Sequence, residues 1–170
     1  MTHPVPVLSA LAVAALALGA PAAAGDTQGW DVTENGKTCL MVSTFEDDVS
    51  VGLIWAAPNG DVSFMTAGDD LEKVAGKAGA TVALNIKFDG QVPHTDWTDD
   101  VARVVSVGNH RVAVIGNWGP SLSKELADTV AGSGKVSVRV GDKDLGSYDL
   151  AGSRAASDKL TQCGTQIAAK

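Results

Sequence analysis

Between Trp30 and Val140 the dominant spacing of apolar residues is two. Val49-Val51-Leu53-Trp55 alternate with Ser50-Gly52-Ile54-Ala56, Val82-Leu84-Ile86-Phe88 with Ala83-Asn85-Lys87, and Val136-Val138-Val140 with Ser137-Arg139. A period of two sends successive side chains to opposite faces of an extended chain, so these runs predict half-buried strands. Weaker runs at Thr38–Phe45, Val62–Thr66, Val101–Val107 and Arg111–Ile115 predict more of them. Pro58-Asn59-Gly60-Asp61, Asp89-Gly90 and Gly108-Asn109 lie between apolar runs. There glycine or asparagine takes the positive φ of a tight turn, and strands so joined pair antiparallel. The expected class is mainly β (α+β), an antiparallel meander or sandwich of about seven to nine strands.

Two segments change to helical spacing. Leu122, Leu126 and Val130 recur every four residues after Pro120-Ser121, and Gly132 follows as a stop. The second runs from about Ser153 to Cys163, with Ser153 as N-cap and Ala156, Leu160 and Cys163 on one face. Asp69 to Gly79 has room for one helical turn, weakened by Gly76 and Gly79. The expectation is two short helices, the last docked on the sheet.

Upstream of the alternating region the pattern is different. Val5 to Ala20 is almost wholly apolar, Pro21 ends the run, and Ala22 and Ala24 supply the small residues of an A-x-A cleavage site. This predicts a signal peptide over residues 1–24 and a single β-rich domain over 25–170, periplasmic or secreted, with no membrane span after cleavage. The n-region has His3 but no Lys or Arg, so an uncleaved anchor is the competing reading.

Twenty acidic and thirteen basic residues give a formal charge of −7, and none of them precedes Gly25. The basic residues are scattered, which excludes the clustered basic face of a nucleic-acid binder and the Lys/Arg-lined helix of a membrane-surface protein. Cys39 and Cys163 are the two cysteines. In an exported chain they read most simply as one disulfide tying the last helix to the sheet, the alternatives being two buried thiols or a redox pair. The closed loop spans most of the mature chain, for which loss of chain entropy gives about 4–5 kcal/mol.

Candidate chemistry is sparse. Pro93 to Asp100 reads as a loop holding His94, Trp97 and the carboxylates Asp96, Asp99 and Asp100. Oxygen and imidazole donors suit a cation, but the spacing fits neither an EF-hand loop nor a zinc signature, so no metal and no cofactor are expected. His94 and His110 are the mature histidines, and Gly132-Ser133-Gly134 lacks the G-x-S-x-G elbow of a serine nucleophile. The expectation is therefore a non-enzyme. Trp30 and Trp55 lie in strand patterns and read as core, whereas Trp97 and Trp118 lie in Gly/Pro/Asp-rich stretches that read as loop tips. Such indoles, with His94 nearby, either anchor a partner or fold back to plug the ends of the core.

Trp30-Asp31-Val32, Cys39-Leu40-Met41-Val42, the segment from Gly79 ending in Phe88-Asp89-Gly90, and Asp149-Leu150-Ala151-Gly152-Ser153-Arg154-Ala155-Ala156 with Leu160 and Cys163 follow in order along the chain. In these segments the chain resembles the invasion-associated locus B family and its uncharacterised bacterial periplasmic relatives. The second, mid-chain cysteine pair typical of that family has no counterpart here. The resemblance implies a β-rich periplasmic or secreted protein with an envelope or host-contact role, and brings no catalytic residues. The leading expectation is an exported, non-enzymatic protein that binds an unknown protein or envelope component. The alternatives are an exported inhibitor of a hydrolase such as a lysozyme or protease, and a small hydrolase or metal-dependent enzyme.

Overall fold

Alternation along the chain becomes nine strands, and the two helical stretches become the longer of three helices. In the computed structural model, which describes residues 29–46, 48–74, 77–92, 95–107, 110–115 and 120–170, the strands begin with β1 (Trp30–Asn35), β2 (Thr38–Thr44), β3 (Ser50–Ala56) and β4 (Asp61–Ala67). Helix α1 (Asp69–Val74) precedes β5 (Thr81–Phe88), β6 (Asp96–Val107) and β7 (His110–Ile115). Helix α2 (Pro120–Gly132), β8 (Lys135–Val140), β9 (Lys143–Asp149) and α3 (Ser153–Ala168) complete the chain. The expected signal segment, residues 1–24, lies outside the described residues. Among those described, no helix is long and apolar enough to cross a membrane.

All strand pairs are antiparallel, in the order β1-β2-β3-β4-β7-β6-β5-β8-β9. The ladder bends so that its halves, four strands and five, meet over a shared core. Phe64 of β4 meets Phe88 of β5 edge to face at 6.3 Å, and Phe45, just after β2, lies 4.7 Å from Tyr148 of β9. The indole N–H of Trp30 at the start of β1 donates to the Ala151 carbonyl just past β9, at 2.9 Å. Trp30 is thus the core residue its strand pattern predicts.

The helices close the inner face of the first half. Leu126 and Val130 of α2 are buried, and Ser123 on the same helix accepts the Val62 N–H at 2.8 Å, fixing α2 on β4. Helix α3 buries Ala156, Leu160, Gly164 and Ile167 against β1, β2 and β3. Ser153 is not the N-cap. Gly152 takes that place with φ 82°, and the buried Ser153 hydroxyl donates instead to the Val130 carbonyl of α2 at 2.9 Å. The helical turn expected within 69–79 is α1, which ends at Val74 and buries Leu71 completely.

The disulfide between Cys39 and Cys163 is formed, with the Cα atoms 6.1 Å apart. That separation is ordinary for a disulfide. It fastens the middle of α3 to β2 and, through the register Cys39↔Trp55, to the neighbouring strand.

Candidate functional site

Because side chains alternate along a strand, each strand of the first half has one face toward the helices and one away from them. On β2, Cys39, Met41 and Ser43 are buried inward, while Leu40 and Val42 stand half-buried on the outer face. On β3 the inward set is Val51 and Leu53, Ser50 and Ile54 point out, and the buried Gly52 lies so close to β2 that a methyl there would collide with the Met41 carbonyl oxygen. On β4, Val62, Phe64 and Thr66 point in and Met65 and Ala67 out. The register aligns the outward residues in rows, Leu40 beside Ile54, Val42 beside Gly52 beside Met65, and Thr44 beside Ser50 beside Ala67 beside Val112. Glycine adds no side chain to the middle row. The result is a trough of 570 Å³ whose apolar floor is Leu40, Val42, Met65, Ala67 and Val112.

Met65 and Val112 are 6% and 2% exposed but lie outside the connected core, so they are the covered floor of a second apolar surface. At one end of the trough stand two exposed carboxylates, Asp48 in the β2–β3 turn and Asp69 at the start of α1. Asp48 has φ 60°, the left-handed region in which aspartate and asparagine are the best tolerated non-glycine residues. The turn is closed by Phe45 N–H to the Val49 carbonyl at 2.9 Å and Asp48 N–H to the Phe45 carbonyl at 3.0 Å. Asp70 next door is differently employed. It bridges Lys73 at 2.8 Å and Lys143 of β9 at 3.0 Å, and these two ammonium groups, Lys73 first, hold its carboxyl below the usual range. The Lys73 ammonium is in turn held above its usual value, chiefly by its hydrogen bond to Asp70. This bridge ties α1 to β9, and so sets Asp69 at the end of the trough.

The outer face of the second half is polar. Asn85 donates to the Asp96 carboxylate at 3.0 Å and to the Thr98 hydroxyl, Lys87 lies 3.6 Å from Asp96, and the Ser137 and Ser147 hydroxyls bond at 3.1 Å. Among the described residues the apolar outer surface thus lies on β2, β3 and β4 and on the adjoining β7.

The expected site residues fare unequally. Trp97 is not at a loop tip. The stretch read as a loop becomes strand from Asp96 onward, and Trp97, paired with Ile86, is 6% exposed within the main core. An indole buried there has no surface to offer a partner, which corrects the expectation. Trp118 and His94 lie outside the described residues. Asp96 is bound to Asn85 and Lys87, and no group of three or more His, Cys, Asp or Glu suited to a metal ion occurs among the described residues. The trough has a sequence signal of its own, distinct from the alternation that marks the strands. Cys39-Leu40-Met41-Val42 and Leu53-Ile54 are apolar at consecutive positions, which a strand solvated on one face does not need.

Comparison of the chain with protein-family models, curated proteins and solved structures finds no match.

Proposed function

We propose that the protein is exported to the periplasm or beyond the cell and acts there without catalysis, binding a protein or envelope component through the outer trough of β2, β3, β4 and β7. The observation that carries this reading is the pair of half-buried apolar residues Leu40 and Val42 that line the trough beside Met65, Ala67 and Val112. Neighbouring half-buried apolar side chains of this kind offer a partner apolar contact. Export is supported by the apolar run before Pro21, by Ala22 and Ala24, and by a disulfide of the kind that persists in oxidising compartments.

Two measurements test the reading. Mass analysis of exported material should give an N-terminus at Gly25, whereas a membrane fraction retaining Met1 to Ala24 would replace export with anchoring. Immobilised protein should retain a component of an envelope extract that Val42→Glu fails to retain at unchanged melting temperature and that Lys87→Glu, on the polar half, still retains. Equal retention by both variants, or none by the parent, would refute binding through the trough. A second reading, inhibition of a cationic hydrolase, is favoured by the charge of −7 and by Asp48 and Asp69 at the trough, and inhibition of a lysozyme or protease separates it from the first.

A further inference from the structure

Resting on the trough as a binding surface, we infer its occupant: a segment of a partner protein that presents an apolar side chain next to a lysine or arginine. Leu40 and Val42, half-buried beside the covered Met65 and Val112, offer apolar contact, and the carboxylates of Asp48 and Asp69 at the end of the trough favour positive charge beside it. Neither carboxylate has a salt-bridge partner among the described residues, and Lys73, whose charge Asp69 also feels, is bound to Asp70.

Charge decides between possible occupants. A second copy would bring its own charge of −7 and its own Asp48 and Asp69 to the interface, so like charges would face each other. An anionic bilayer meets the same repulsion. A small molecule is the poorer fit, because small-ligand sites enclose most of their ligand and this trough lies open along a sheet face. A basic, apolar peptide segment satisfies floor and rim together.

The test uses two fluorescent pentapeptides, KLWLK and its charge-reversed counterpart ELWLE, titrated by anisotropy with the purified protein at low ionic strength. KLWLK should bind at least about tenfold tighter than ELWLE, since each exposed ion pair contributes modestly and each like-charge contact subtracts as much. Asp48→Asn with Asp69→Asn should weaken KLWLK by about fivefold, and added salt should erode the preference. Asparagine keeps the left-handed backbone at residue 48 accessible, so the change isolates charge. Val42→Thr, equal in shape, should weaken both peptides.

Equal affinity for both peptides with loss on Val42→Thr would overturn the charge inference and leave the binding surface standing. Binding of neither peptide, or binding indifferent to Val42→Thr, would overturn both. A dimer at micromolar concentration that Val42→Thr dissociates, or binding to phosphatidylglycerol vesicles, would assign the face to a different occupant and overturn the proposal.

Discussion

Gly164→Ala decides whether α3 is held against the sheet by close packing or rests on it loosely. A methyl group built at Gly164 lies 2.5 Å from Cε2, 2.6 Å from Cδ2 and 2.9 Å from Nε1 of Trp55. Carbon atoms in contact sit about 3.5–4.0 Å apart, so one partner has to move by more than an ångström. Gly60 also lies beside the indole, where a methyl would come into ordinary contact with its Cζ2 at 3.5 Å. The helix cannot simply retreat, because Cys163, the preceding residue, is bonded to Cys39, the cross-strand neighbour of Trp55.

Two effects of opposite sign therefore compete. Alanine in place of glycine favours a helix by about 1 kcal/mol, whereas overfilling a tight contact costs about 1–3 kcal/mol. With the helix tied down by the disulfide the steric effect should win by about 1–2 kcal/mol, lowering the melting temperature by about 3–6 °C for a chain of this size. Thermal and urea unfolding followed by circular dichroism measure it. The control is Trp55→Leu: in that background Gly164→Ala should be neutral or stabilising, because the obstructing ring is gone. A Gly164→Ala variant as stable as the parent, or one destabilised equally with and without Trp55, would refute the close contact.

Reduction of Cys39–Cys163, which spans 124 residues, should remove about 4–5 kcal/mol and lower the melting temperature by about 10–15 °C; an unchanged value sinks the structural role of the bond. Trp97→Ala should destabilise by about 3–5 kcal/mol through the cavity it leaves, and a melting temperature within a degree of the parent would return the indole to the surface. Asp70→Asn addresses pH. A carboxyl whose folded-state pKa is depressed stabilises the fold above its ordinary value of 3.8, and that contribution disappears as the pH falls through the lower folded value. The stability difference between parent and Asp70→Asn should therefore be steady near neutrality and shrink below pH 3.8; a difference constant across the acid range contradicts the Lys73–Asp70–Lys143 bridge.

Strands with clean alternation were legible in the chain, and β8 shows why: Val136, Val138 and Val140 are buried while Ser137 and Arg139 are exposed. Its partner β9 escaped reading as a separate strand for an equally physical reason. The register shifts between Val138 and Arg139, so Gly146 faces Val138 while Asp144 faces Arg139. That irregularity lets Leu145 and Tyr148, three positions apart, both reach the core, and the period of two disappears. Trp97 failed by composition, since the acids around it suggested a loop. Those acids include Asp96, which lies on the solvated side of β6, where cross-strand Lys87 and Asn85 receive it. The disulfide was legible because two cysteines in a chain whose leader pattern predicts export leave few alternatives, and because Ala156, Leu160 and Cys163 share a helical face.

The two faces of the first half of the sheet stand in a mechanical relation that bears on binding. Inward, Met41, Leu53 and Phe64 are fixed beneath α2 and α3, with α3 fastened by the disulfide and by the Gly164–Trp55 contact. Outward, Leu40, Val42, Ile54 and Met65 are carried by the same three strands and alternate with those fixed residues. A side chain on a strand is only as well placed as the backbone beneath it, so anchoring the inner face also sets the spacing of the outer one. Ordering of the binding surface is a large part of what opposes association, and a floor ordered before the partner arrives spares most of that loss. If the trough binds as proposed, apolar residues at consecutive positions of β2 and β3 serve two surfaces at once: one sealed within the fold, and one whose spacing that seal sets.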